Sequence, residues 1–83
     1  MRKIVANDFG LNSRVNLVRH DDHIGIVIDR KSRIIMNDGR KILEQAKNIN
    51  KILTTKIRLY TSAPVCGKTI EFLKKNDITI DSI

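Results

Sequence analysis

The sequence predicts an α+β fold, or a small α/β fold, with a mixed sheet built from N-terminal strands and a hairpin, a helix, and then a βαβ unit. Short alternating or apolar runs precede residue 37, and a helical spacing of apolar residues follows it. A strand, helix, strand pattern then begins at residue 56. The chain has 83 residues, enough for one modest core, so we expect a single domain over residues 1–83.

The N-terminal part of the chain is predicted to form strands. "RKIVA" and "RVNLV" flank "NDFGLNS", whose Asn, Asp, Gly and Ser are typical of a turn. The run from Ile24 to Ile28 is nearly continuously apolar, which is typical of a strand buried on both faces. The stretches "IGIVID", "DRKS" and "RIIM" together predict a hairpin with a basic tip.

A helix is predicted from residue 37. Asn37 or Asp38 is suited to cap it. The apolar residues that share one helical face are Ile42, Leu43, Ala46, Ile49 and Leu53. A basic stripe lies on the opposite face, formed by Arg40, Lys47 and Lys51 with Glu44 among them.

The remainder predicts a βαβ unit. "KIRLYT" and "ITI" are the strands, and "IEFLKKND" is the helix between them, with Ile70, Phe72 and Leu73 inward. Strands joined in this way are parallel by strong topological preference. At the ends of this helix we expect Ser62 to cap and Pro64 to lie in the first turn, and Asn76 to be the left-handed stop.

The charge of the chain is concentrated in its centre. The formal net charge is +7. Residues 30–58 hold nine bases against two acids, and the rest of the chain holds seven of each, so the central segment carries the whole excess. The bases of this segment are Arg30, Lys31, Arg33, Arg40, Lys41, Lys47, Lys51, Lys56 and Arg58. Such a distribution favours an anionic partner, although it also fits a merely solvated surface.

We therefore expect a non-catalytic module that binds nucleic acid, or another polyanion such as an acidic protein. The predicted contact residues are those of the hairpin tip and the helical stripe: Arg30, Lys31, Arg33, Arg40, Lys47 and Lys51. The chain has only three aromatic residues, two of which look like core or strand residues, which argues against base stacking and favours contacts to phosphates. A further alternative is an accessory subunit that pairs with itself or a larger complex through an apolar edge strand.

The stretch "TSAPVCGKT" at residues 61–69 admits several interpretations. It ends like a phosphate loop in Gly67, Lys68 and Thr69, but Ser62 stands where that pattern requires glycine. Pro64 also removes one backbone amide. We therefore expect no nucleotide hydrolysis. A weaker prediction is one phosphate or sulfate held by Gly67, Lys68 and Thr69 at the helix N-terminus.

The segment "IRLYTSAPVCGKTIEFLKKNDITI" at residues 57–80 resembles the first strand, active-site turn, helix and second strand of the glutaredoxin and arsenate-reductase branch of the thioredoxin superfamily. Cys66 stands where that family places a reactive cysteine, whose thiolate the helix amides stabilise. The resemblance implies a monothiol redox protein acting through Cys66. The helical spacing favours a different interpretation, in which Cys66 is buried on one apolar face with Ile70 and Leu73.

The predicted hairpin and the helix after it are similar to the C-terminal hairpin and helix of thioredoxin-like proteins. Because they precede the βαβ unit here, the resemblance implies a circular permutation. His23 would then lie near Cys66, in the place where the family has a cis-proline.

The sequence predicts no cofactor, no metal site and no membrane partner. His20, Asp21, Asp22 and His23 are consecutive, and four such residues in one loop seldom face a common metal ion. The apolar run near the N-terminus is too short for a signal peptide, and no window suffices for a membrane span, so we expect a cytoplasmic protein.

Overall fold

The computed structural model describes residues 2–12 and 14–83. Its strands are β1 (Arg2–Ile4), β2 (Asn16–Arg19), β3 (His23–Ile28), β4 (Lys56–Thr61) and β5 (Ile78–Ser82). The helices are α1 (Met36–Ile52) and α2 (Gly67–Lys75), and a short 3-10 helix spans Ala6–Phe9. That short helix ends at Gly10, whose φ of 70° lies in the left-handed region that glycine adopts without strain.

The five strands form one mixed sheet in the order β1-β2-β3-β4-β5. The first three strands are antiparallel, and β3, β4 and β5 are parallel. Parallel neighbours require crossovers, and α1 and α2 provide them. The predicted α+β class, its mixed sheet and the βαβ unit of β4, α2 and β5 are therefore confirmed. A second such unit, β3, α1 and β4, was not predicted.

The predicted hairpin after β3 is wrong in its second half. Ile34 makes only an isolated parallel bridge to Val65, and α1 begins at Met36. Ile34 is fully buried, while Arg33 and Ile35 on either side of it are exposed, so the apolar run contains one buried loop residue and is not a strand. The antiparallel partner of β3 is β2, with Leu17 opposite Ile26.

Both helices lie on one face of the sheet, because α1 contacts α2 and the two share a core with the strands. In β4, Ile57 and Leu59 point into this core, while Arg58 and Tyr60 point to the other face. That second face is called the outer face below. From the helices, Ile42, Ala46, Ile49 and Leu73 complete the core.

Asp38 stabilises the start of α1, as predicted, although from inside the first turn. Its Oδ2 accepts the Ile35 amide at 3.0 Å and an Arg30 guanidinium hydrogen bond at 2.7 Å. The hydrogen bond from the Ile35 amide is the main reason that the pKa of Asp38 is lowered, and Arg30 adds to it.

We expect Asp38→Ala to lower the free energy of unfolding at neutral pH by about 0.5–2 kcal/mol, the usual cost of removing a capping side chain. Because the folded state lowers the pKa of Asp38, its contribution is present above the unfolded value near 4 and is lost as the pH falls through the lower, folded value. In urea unfolding from pH 7 down to pH 2, the free energy of unfolding should therefore fall less steeply with pH in the variant than in the wild type. Equal acid slopes in both proteins would contradict this assignment.

The ends of α2 differ from the prediction. The helix starts at Gly67 with Cys66 at the N-cap position, whereas the Ser62 hydroxyl donates to Asp29 Oδ1 at 2.5 Å and so ties the preceding loop to the β3–α1 loop. At the other end the left-handed residue is Asp77, with φ of 62°, and not Asn76. The position of Ser62 follows from a contact with Asp29, which is distant in the sequence.

Candidate polyanion surface and thiol site

The basic stripe predicted on α1 lies on the exposed side of the helix. Arg40, Lys47 and Lys51 are all exposed, because the core-facing residues of α1 occupy the opposite side. Within residues 4–12 and 14–83, none of the three side chains makes an ion pair within 4.0 Å. Because they make no such pair, their charges are available to a partner. These three residues are called the α1 stripe below.

The other three predicted contact residues lie in the loop from β3 to α1 and have different surroundings. Lys31 and Arg33 are exposed. Arg30 instead holds the loop, because its guanidinium pairs with Asp38 at 2.7 Å and donates to the carbonyl oxygens of Ser32 and Arg33 at 3.2 Å each. The structure therefore leaves Lys31 and Arg33 beside the start of α1, and gives Arg30 a structural contact.

A second group of lysines surrounds a cleft between α1 and α2 at the amino ends of β4 and β5. The cleft has a volume of about 900 Å³. It is called the lysine cleft below, and its lysines are Lys47, Lys56, Lys74 and Lys75. Sequence reasoning named only Lys47 as a contact residue: Lys56 was counted in the basic central segment alone, and Lys74 and Lys75 lie in a later element. The strand and helix order is the signal that could have found them, since two successive βαβ units bring the C-termini of α1 and α2 to the same end of the sheet.

Cys66 lies at the opposite edge of the sheet, after the carboxyl end of β4. It is half-buried, and its amide donates to the Ile34 carbonyl at 2.9 Å. The backbone amides of Lys68 and Thr69 in the first turn of α2 lower the pKa of the Cys66 thiol, and the nearby positive charge of Arg33 adds to this effect. The start of α2 therefore stabilises the thiolate form of Cys66 relative to that of a free cysteine.

The predicted anion residues share this helix start. Gly67 and Lys68 are exposed, but Thr69 is fully buried. The amides of Lys68 and Thr69 act on the Cys66 sulfur, so a bound phosphate or sulfate would have to compete with the thiolate for them. The anion site at Gly67, Lys68 and Thr69 thus stays a prediction.

The interpretation of Cys66 as buried on an apolar face with Ile70 and Leu73 is not supported. Leu73 is fully buried, but Ile70 is 43% exposed. The inward face of α2 is formed by Thr69, Phe72 and Leu73 instead. The helix begins at Gly67, three residues after Pro64, so Cys66 lies before its first turn.

The circular permutation is wrong. It required a hairpin that would continue β3 into residues 33–36, and those residues form no such strand. It also required His23 to lie near Cys66. His23 pairs in register with Lys56 at the amino end of β4, and Cys66 follows the carboxyl end of that strand, so the two residues occupy opposite edges of the sheet.

The outer face carries a cluster that the sequence did not reveal. His23 Nδ1 is 2.7 Å from Asp22 Oδ1, and His23 Nε2 is 2.6 Å from Tyr60 Oη. The His20 ring stacks on His23 with centroids 4.3 Å apart. The hydrogen bond to His23 is the main cause of a lowered pKa of Asp22. Within the described part of the chain, no three His, Cys, Asp or Glu side chains are arranged to hold a metal ion.

Comparison with known proteins gave no relative. No family model, no curated protein and no solved structure matches this chain. Neither of the helices among residues 2–12 and 14–83 has the length and apolar character needed to cross a bilayer.

Proposed function

We propose that the protein binds nucleic acid through contacts between its basic surface and the phosphate backbone. The α1 stripe carries this proposal, since three cationic side chains on one helical face are exposed and make no ion pair with described residues. Lys31 and Arg33 extend the positive surface at the start of α1. Lysine and arginine side chains placed in this way neutralise phosphates and release counterions, which is the main source of sequence-independent affinity.

The test is a titration of labelled single-stranded and duplex DNA and RNA at several salt concentrations. We expect the logarithm of the association constant to fall linearly with the logarithm of the salt concentration. The slope is about 0.9 per neutralised phosphate on duplex DNA and about 0.7 on single strands. No binding at low salt by any of these probes would overturn the proposal.

A pair of double variants then locates the contacts. Arg40→Gln with Lys51→Gln removes two charges from the α1 stripe and should weaken binding and lower the salt slope. Arg14→Gln with Lys41→Gln removes the same charge from exposed positions off the stripe and is the matched control. Equal losses in both variants would show that net charge alone, and not the stripe, supports binding.

A second candidate function is thiol chemistry at Cys66, as the resemblance of residues 57–80 implies. The observation that favours it is the lowered pKa of a half-buried thiol at a helix N-terminus. The thiolate would attack a low-molecular-weight disulfide, forming a mixed disulfide with Cys66 and releasing the other half as a thiolate. Lys68 and Thr69 would contribute through their amides, and Arg33 through its charge.

This candidate is tested by the rate of alkylation with iodoacetamide against pH. Cys66 is the sole cysteine of the chain, so the signal has one source, and the same protein in concentrated urea is the matched reference. We expect the midpoint of the folded protein to lie at lower pH than that of the unfolded protein. Coincident midpoints would remove the basis for a reactive thiol.

A further inference from the structure

We propose that the lysine cleft is the binding site for a single strand of nucleic acid, held by its phosphates between α1 and α2. This inference rests on the proposed function and places its main contacts where the sequence did not. The lysines come from three elements: Lys47 from α1, Lys56 from the start of β4, and Lys74 and Lys75 from the end of α2. All four are exposed.

The charge of the cleft is strongly one-sided. Among the described residues that line it, Asp77 is the only acid facing the four lysines. Part of this excess balances the partial negative charge at the C-termini of α1 and α2. That role accounts for Lys74 and Lys75 in the last turn of α2, but it does not require Lys47 or Lys56, which lie outside any last helical turn.

The neutral lining also suits phosphates. Asn50 Oδ1 accepts the Thr55 amide at 3.3 Å, and the Nδ2 group of Asn50 donates to none of the described residues. Thr54 and Thr55 add hydroxyl groups to the same wall. Amide and hydroxyl donors beside lysines are the side chains that commonly contact phosphate oxygens. Leu43 and Ile57 are among the apolar lining residues.

The shape favours a single strand of nucleic acid over a duplex or a protein. The cleft has a volume of about 900 Å³, the size of a small-molecule site, so it can hold a short stretch of one strand but not a duplex. Protein partners are usually anchored by aromatic or arginine side chains, and none of the described residues that line the cleft is of either type. Lacking aromatic stacking, the cleft should bind without marked sequence preference.

Lys47 connects the two basic regions, because it lies both in the α1 stripe and on the wall of the lysine cleft. A strand that leaves the cleft past Lys47 would continue along α1 toward Arg40. The cleft and the stripe can therefore act as one path for a phosphate backbone, with the cleft as its concave part.

The experiment compares two double variants of the full chain by fluorescence anisotropy with a short labelled single strand of mixed sequence. Lys74→Gln with Lys75→Gln removes two charges from the cleft, and Arg14→Gln with Lys41→Gln removes two from elsewhere. We expect the cleft variant to lower the salt slope by about 1.4, or about 0.7 for each lost phosphate contact. The control variant should retain the original slope. Urea unfolding of both variants checks that each remains folded.

Three results would overturn the cleft assignment while leaving the proposed function intact. The first is single-strand binding by the wild-type protein with an unchanged slope in the cleft variant. The second is tighter binding of duplex than of single strands under the same salt conditions. The third is competition by polyglutamate as strong as competition by unlabelled single strand, which would assign the cleft to acidic protein segments. Absence of any binding by the wild-type protein would instead overturn the proposed function itself.

Discussion

Replacing Gly25 by alanine should lower the free energy of unfolding by at least about 2 kcal/mol. A Cβ at this position would lie 2.5 Å from Cδ2 and Cε2 of Tyr60 and 2.8 Å from Cγ2 of Val18, which is closer than carbon atoms approach. Overpacking of this kind costs about 1–3 kcal/mol. If the Tyr60 ring moves to relieve it, the hydrogen bond between Tyr60 Oη and His23 Nε2 is lost, at a further cost of about 1 kcal/mol or more.

Urea unfolding measures the loss, and near-ultraviolet circular dichroism reports the ring itself, since the chain has one tyrosine and no tryptophan. Gly67→Ala is the matched control. A Cβ at Gly67 meets nothing within 4 Å and the backbone there is not left-handed, so its stability should be equal or slightly higher. A Gly25→Ala protein as stable as the wild type would show that the Tyr60 ring does not lie over β3.

Replacing Leu73 by alanine should cost about 2–5 kcal/mol, the usual range for a buried leucine. Leu73 is fully buried in the core beneath α2. Loss of its packing weakens the helix that carries the Cys66 site at one end and Lys74 and Lys75 at the other. Both candidate sites, Cys66 and the lysine cleft, therefore depend on Leu73, although it belongs to neither of them.

Ile70→Ala is the matched control, because it removes a similar side chain from the same helix. Ile70 is 43% exposed, so its replacement should cost well below 2 kcal/mol. Thermal and urea unfolding of the two variants provide the comparison. Similar losses would mean that α2 is rotated about its axis, with Ile70 inward as the sequence pattern first indicated.

The sequence was sufficient for most of the regular elements because their signals are local. The apolar spacing of Ile42, Ala46 and Ile49 places one face of α1 in the core, and those three residues are buried. The alternation in β4 separates Leu59 from Tyr60 in the same way. Periodicity of this kind follows from the geometry of each helix or strand alone.

The error at residues 33–36 has a different cause. The run around Ile34 is as apolar as a strand, and burial in a loop cannot be distinguished from burial in a strand by hydrophobicity alone. Hydrogen bonds tie Ile34 to the loop before α2, because its amide donates to the Pro64 carbonyl and its own carbonyl accepts the Cys66 amide, each at 2.9 Å. These partners lie about thirty residues away, so no local pattern could reveal them.

The candidate sites divide along the same line. The sequence by itself determined the positive charge of the central segment, the exposure of the α1 stripe and the position of Cys66 where a strand gives way to a helix. Only the tertiary structure assigned Arg30 to Asp38, separated His23 from Cys66, and gathered Lys56, Lys74 and Lys75 around one cleft with Lys47. The physical reason is that charge and helical period are properties of neighbouring residues, whereas a cleft exists only after the crossovers of β3, β4 and β5 have fixed which helix ends meet.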